Sequence, residues 1–259
     1  MIRTVRQRNK IFIMFMLSTF LVFLTNISFA DNVDPAAQKV DPYEKFNRVI
    51  FSFNDTLDKY LLKPVAILYN RIVPRPMVKG IRNFFFNIDT IPTVANDLLQ
   101  ANFYQASRDS WRLAINSTVG VLGLFDIADN IGLAPNKEDF GLTLAHWGYE
   151  NSNYLVLPFL GPSTPRDMLG FPVDYYAFSV YPYINPDASR YELYGLGLIS
   201  RRADLLSFQG VMQQAAIDRY VFIRDAYMQR RAWLINRNKE LGDPYLESDS
   251  SVANNAINK

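Results

Sequence analysis

Apolar residues recur along this chain with a helical period over most of its length. From Asp41 onward, Tyr43, Phe46, Ile50, Phe53, Leu57 and Tyr60 follow one another at steps of three and four, which gathers them on one helix face. Asp41-Pro42 opens that helix, with Asp41 as N-cap and Pro42 at the first helical position, and Pro64 ends or kinks it. Helical pieces between prolines follow: Val65 to Ile72, stopped by Pro74-Arg75-Pro76, then Met77 to Phe86, Thr93 to Gln100 and Gln105 to Thr118. In the last of these, Ser107, Trp111, Ala114 and Thr118 lie at near-helical spacing. Gly120, Gly123 and Gly132 punctuate the apolar stretch Val121–Leu133, and Lys137 to Trp147 predicts one helix closed by Gly148. Tyr154 to Leu160 is the best strand candidate, followed by Gly161-Pro162. Thr164 and Asp167 form an N-cap and N3 pair at the next helix start. Phe171 to Ile184 is rich in aromatics. Ala216 to Asn236 predicts a long helix with Ile217, Tyr220, Ile223, Tyr227, Ala232 and Trp233 inward and Arg219, Arg230 and Arg231 outward. The pattern as a whole predicts a mainly α fold, a single compact helical domain over residues 41–242, with at most a short hairpin near Tyr154.

The two ends read differently. Arg3, Arg6, Arg8 and Lys10 precede an apolar run from Ile11 to Leu24, and Ser28-Phe29-Ala30 places small residues before Asp31. This is the pattern of a signal peptide over residues 1–30; the apolar run is short for a membrane span. Residues 31–40 form a polar linker, and residues 243–259 a polar tail expected to be disordered. The leader also accounts for the basic balance. The whole chain has 27 basic and 25 acidic residues, but the four cations of the leader leave 23 against 25 from Asp31 onward, a net −2. A nucleic-acid partner has no electrostatic footprint here.

Composition removes most chemistry. With no cysteine there is no disulfide, thiolate nucleophile or Cys-type zinc site. The single histidine, His146, sits in the helical context Leu144-Ala145-His146-Trp147 and reads as a buried, hydrogen-bonded structural residue. No G-x-S-x-G elbow supplies a serine nucleophile. Gly195-Leu196-Gly197 lacks the third glycine and the preceding strand of a dinucleotide loop. The carboxylate pairs Asp126/Asp129 and Glu138/Asp139 read as solvated faces or helix caps rather than metal ligands. No cofactor or metal is implied, and the residues point to a non-enzyme.

Longer strings are more specific. Asp41-Pro42-Tyr43-Glu44-Lys45-Phe46-Asn47-Arg48, then Phe53-Asn54 and Lys63-Pro64-Val65-Ala66, resemble the start of the MlaA (VacJ) family. So do Phe140-Gly141-Leu142-Thr143-Leu144-Ala145-His146-Trp147-Gly148 and the run from Tyr154-Leu155-Val156-Leu157-Pro158 through Thr164-Pro165-Arg166-Asp167. The resemblance covers residues 41–235. It implies a ring-like helical body in the inner, periplasm-facing leaflet of the outer membrane, beside a trimeric porin. Such a body removes mislocalised phospholipids from the outer leaflet and passes them to a soluble periplasmic carrier, maintaining lipid asymmetry. On this resemblance Phe46, Asn47, Asn54, Gly141, Thr143, His146, Trp147 and Gly148 are candidates for the lipid path. Asp41–Leu62 and Phe171–Ile184 are candidates for lipid contact. Family members commonly carry a lipidated cysteine at the cleavage site; here that position is Asp31. The alternatives are a porin-binding scaffold and, from a different class, a periplasmic phospholipid hydrolase using His146.

Overall fold

Pro64 does not end the first helix; it changes its winding. In the structure, a computed structural model that describes residues 41–149, 152–208 and 218–242, α1 (Glu44–Leu57) passes through a π-helical turn (Asp58–Leu62) into α2 (Lys63–Ile72). Proline offers no N–H and crowds the carbonyl four residues back. The wider turn just before it absorbs that misfit without a break. The start differs as well. The helix begins at Glu44, with no side-chain cap, because Asp41 is turned inward, where its carboxylate accepts from Asn47 Nδ2 at 2.8 Å and from the Tyr220 hydroxyl. The leader, the linker and the tail beyond residue 242 lie outside the described residues.

Two pieces expected from the pattern are one helix: α3 (Arg75–Leu99) contains both, with Pro92 inside it. Packing along α4 (Phe103–Thr118) supports α3 across the proline, against a local cost of about 3 kcal/mol. Asn102 caps α4 by accepting from Gln105 N at 3.1 Å, and Asp126 caps the short α5 (Ile127–Asn130). The next helix, α6 (Phe140–His146), starts three residues later than the pattern predicts, because Asp139 caps it through Leu142 N at 2.9 Å. That leaves Lys137 and Glu138 outside the helix. Strands β1 (Leu155–Leu157) and β2 (Gly161–Ser163) pair antiparallel, with Leu155 opposite Ser163. α7 (Pro165–Val173) begins as predicted, Thr164 Oγ1 accepting from Asp167 N at 3.1 Å. A π-helical turn (Asp174–Phe178), α8 (Asp187–Asp204) and α9 (Arg219–Gly242) complete the described chain. Ile217, expected to face inward, lies outside the described residues.

The interior is polar. Among the described residues, buried polar and charged side chains outnumber buried hydrophobic ones, and several of the latter are alanines. Among the described residues, one apolar cluster joins Tyr154, Val156 and Tyr220, where β1 lies between α1 and α9. Elsewhere the usual amphipathic arrangement is inverted. On α4 the buried face is Ala106, Asp109, Arg112 and Asn116, while Trp111 is 64% exposed and Ser107, Ala114 and Thr118 point outward with it. On α9 Arg231 is buried and Trp233 is 60% exposed, the reverse of the expectation, because Arg231 meets two carboxylates inside.

Neighbouring elements close a circuit. The continuous α1–α2 rod packs on α8, α8 on α3, α3 on α6, α6 on α9, and α9 on β2, which returns through β1 to α1. Ion pairs tie the joints: Arg202 to Asp58 at 2.5 Å, Arg201 to Asp89 at 2.6 Å and Arg48 to Asp218 at 2.8 Å. Among the described residues no helix is long and apolar enough to cross a membrane.

Candidate functional site

Three cavities meet at Lys137. The first, about 240 Å³, lies between α3 and the α7–α8 region, with Ile88, Phe171, Tyr181 and Leu198 beside Asp89, Asp174 and Arg201. A second of about 260 Å³ adds Phe85, Asp204 and Arg230. The third, about 190 Å³, is bounded by α7 and α9 through Asp167, Tyr227, Arg231 and Leu234. Lys137 lines all three. It can do so because Asp139, not Lys137, begins α6. The walls are therefore mixed: aromatic and aliphatic surface alternates with charge.

Two polar networks hold these walls. In one, Arg231 donates to Asp139 at 2.6 and 3.0 Å and to Asp167 at 2.5 Å, and the Tyr227 hydroxyl donates to Asp167 at 2.5 Å. Burial opposes ionisation of Asp139, but the Arg231 guanidinium outweighs it and holds the carboxyl below the usual range. In the other, Thr143 Oγ1 donates to Asn96 Oδ1 at 2.8 Å, and Gln100 Nε2 donates to Thr143 at 3.2 Å and to Glu138 at 3.0 Å. Asn96 also donates to Asp174 at 2.8 Å. Burial raises Asp174 to about 6, against the Phe140 N–H and Asn96, which favour its ionised form. Next to this network, burial and a hydrogen bond with Asp109 push Asp97 well above the carboxylate range. Asp97 Oδ2 is buried with no hydrogen-bond partner among the described residues.

The eight residues singled out from the sequence fall into two groups, and the three cavities have none of them in their linings. Phe46, Asn47 and Asn54 lie on α1. Asn47 is fully buried, donating to Tyr154 O at 3.2 Å and accepting from Val156 N at 2.9 Å. Asn54 holds the hairpin through Leu157 O at 2.9 Å and Phe159 N at 2.8 Å. The others belong to α6 and its end. Gly141 lies against Asp167 and Arg231, and Thr143 centres the second network. Gly148, at φ +106°, makes the turn after α6. Trp147 is 56% exposed, with Nε1 donating to Leu99 O at 3.3 Å. His146 is exposed, contrary to the expectation of a buried residue, because the last turn of α6 presents it outward. Asp126 and Asp139 are helix caps, as expected for the carboxylate pairs, whereas Glu138 is buried and paired with Arg237.

Lys137, Arg201, Arg230 and Asp174 were not legible as cavity residues. The available signal was a polar stripe on α3, Asn87, Thr90, Thr93, Asn96, Asp97 and Gln100, at the spacing normally reserved for apolar residues. All six are buried.

A mainly α body with polar side chains buried, large apolar ones exposed, and a charged and aromatic cavity system between its helices defines the class. The chain belongs to the MlaA lipoprotein family, whose profile matches residues 39–233. It is similar to a Rickettsia bellii protein, 36% identical over 206 residues, covering 80% of this chain and 81% of that protein. It is 34% identical over 208 residues to the Escherichia coli intermembrane phospholipid transport system lipoprotein MlaA, covering 76% of this chain and 78% of that protein. A chain solved in work on the structural basis for maintenance of bacterial outer membrane lipid asymmetry superposes with a TM-score of 0.65 at 33% identity, over 75% of this chain and 98% of that one.

Proposed function

We propose that this chain is a non-enzymatic phospholipid transporter of the outer membrane. It takes mislocalised phospholipids from the outer leaflet and hands them to a soluble periplasmic carrier, keeping the membrane asymmetric. The observation that carries this reading is the inverted distribution of polarity around an amphipathic cavity. A lipid leaving a leaflet must keep its headgroup wet and its tails dry, and burying an unpaired polar group costs several kcal/mol, roughly 2–7. Mixed walls inside an apolar exterior meet both demands. Direction needs no chemistry in this chain; an acceptor that binds lipid more tightly and is emptied elsewhere supplies it.

The body sits in the periplasm-facing leaflet beside a trimeric porin. Exposed side chains on α1–α2, such as Phe53, Tyr60, Leu61 and Leu68, and Phe171, Tyr176 and Tyr183 further on, serve as its lipid- and porin-facing surface. With no cysteine in the sequence to carry an acyl chain, this surface serves as the anchor, each buried CH₂ contributing about 0.8 kcal/mol. Carbonate extraction is expected to leave the protein with the membranes; release into the soluble fraction would overturn integral embedding. The transport reading is tested by labelling outer-leaflet phospholipid in a deletion strain. Surface phospholipid should rise on deletion and fall on complementation with the full-length gene. No change would favour the porin-binding scaffold.

A further inference from the structure

Six carboxylates and five cations line the three cavities together, but the charge is unevenly shared, and the second cavity has four cations to two carboxylates. Three of the cations are committed: Arg201 to Asp89 at 2.6 Å, Arg231 to Asp139 and Asp167, and Arg82 to Asp204 at 3.7 Å. Lys137 and Arg230 are exposed and make no hydrogen bond or ion pair with any described residue. The lining carboxylates are correspondingly matched to arginines. The exception is Asp174, whose oxygens accept from the Phe140 N–H at 3.0 Å and from Asn96 at 2.8 Å. Lys137 lies close enough to Asp139 to favour its ionised form, but in the second cavity Lys137 and Arg230 stand beside Arg82 and Arg201 with only Asp89 and Asp204 to offset the four, a local positive excess that favours an anion.

We propose that Lys137 and Arg230 are the phosphate-recognising pair of this cavity system, holding the phosphodiester of a phospholipid headgroup. The proposal rests on the transport reading and names the chemistry by which the cargo is held. Lys137 lines all three cavities and Arg230 two of them, so both border the second cavity, where the positive excess lies. A guanidinium matches phosphate oxygens in a bidentate fork, and an ammonium adds a compact charge with three donors. Apolar surface stands beside the pair, Phe171 and Leu234 in one cavity and Phe85 in another. A headgroup phosphate with the first carbons of its chains attached fits that juxtaposition. Inorganic phosphate shares the charge but leaves the apolar walls uncovered.

The test uses the full chain purified in detergent micelles doped with equal phosphatidylglycerol and diacylglycerol, with co-purifying lipid measured by mass spectrometry. Wild type should retain phosphatidylglycerol in excess. The double variant Lys137→Gln/Arg230→Gln should lose that preference by about tenfold, the scale of one charge-assisted hydrogen bond. Lys137→Arg should keep it, and excess inorganic phosphate should leave the bound lipid in place. Equal retention of the two lipids by wild type, or an unchanged preference in the double variant, would overturn the pairing. Displacement by inorganic phosphate would make this a free-phosphate site and overturn it too. Failure of the wild-type gene to lower surface phospholipid in the deletion strain would remove the transport reading alone, because the micelle assay requires no transport.

Discussion

Gly141 stands where α6 crosses α7, and nothing larger fits. A Cβ there would lie 2.4 Å from Asp167 Oδ1 and 2.9 Å from Arg231 Nη2. Asp167 cannot step aside, since Arg231, Tyr227 and Arg166 all bond its carboxylate. Gly141→Ala should therefore destabilise the protein by about 1–3 kcal/mol, as overpacking does, seen as a lower thermal midpoint by circular dichroism in micelles. Arg231→Leu attacks the same network from the other side. It leaves the buried Asp167 and the Asp139 cap without their cation, and losing one partner of a buried pair costs about 3–5 kcal/mol. The expected order of midpoints is wild type, then Gly141→Ala, then Arg231→Leu. An Arg231→Leu protein as stable as wild type would mean the network contributes little.

Adjacent residues on α4 have opposite fates. Trp111 is outward, whereas Arg112 is 2% exposed and bonds Asp126 and the Leu133 carbonyl. Trp111→Asp should leave the thermal midpoint almost unchanged, within about 0.5 kcal/mol, and weaken binding to phospholipid vesicles in a flotation assay. Arg112→Met should do the reverse, removing about 3–5 kcal/mol of stability while sparing the lipid-facing surface. Unchanged flotation of Trp111→Asp would argue against lipid contact on this face. The pair also shows what the sequence could and could not tell. Spacings of three and four identified α1, α4 and α9, and Thr164-Pro165-Arg166-Asp167 marked the start of α7, because period and capping are local properties of the backbone; α8 went unread. Which face turns inward is not local. The rule that apolar residues go inside assumes water outside, and it placed Trp233 in the core and Arg231 on the surface. The end or kink expected at Pro64 became a π-helical turn, and the separate pieces Met77–Phe86 and Thr93–Gln100 became one helix through Pro92, for a related reason: the wider turn and packing on α4 offset a local penalty. The blocks around Asn47 and Gly141 were visible as strings, yet their work of fixing a hairpin and admitting a close helix crossing depends on residues far along the chain.

A polar interior makes the stability of the whole body depend on pH, with a sign opposite to that of most folds near neutrality. Asp97 is raised by burial and by Asp109, with Glu138 adding repulsion and Arg237 partly offsetting it. Asp174, at about 6, and Asp204 are raised chiefly by burial. Each binds its proton more tightly folded than unfolded. Between the ordinary carboxylate value near 4 and these higher values the native state therefore holds more protons, and stability falls as pH rises. Asp139 and Asp218 act the other way: held low by arginines, they contribute stability that is lost only as pH falls below about 4. The thermal midpoint should accordingly peak at mildly acidic pH and decline steadily from there through pH 8, roughly the upper part of the usual range for maximal stability. Asp97→Asn isolates the largest contribution. An amide fills the same space and cannot ionise, so the variant should match wild type near pH 5, exceed it by several degrees near pH 8, and show a flatter alkaline limb, a domain of this size gaining about 2–4 °C per kcal/mol. Parallel profiles for the two proteins would show that Asp97 keeps an ordinary affinity for its proton and that the seam between α3 and α4 tolerates two charges side by side.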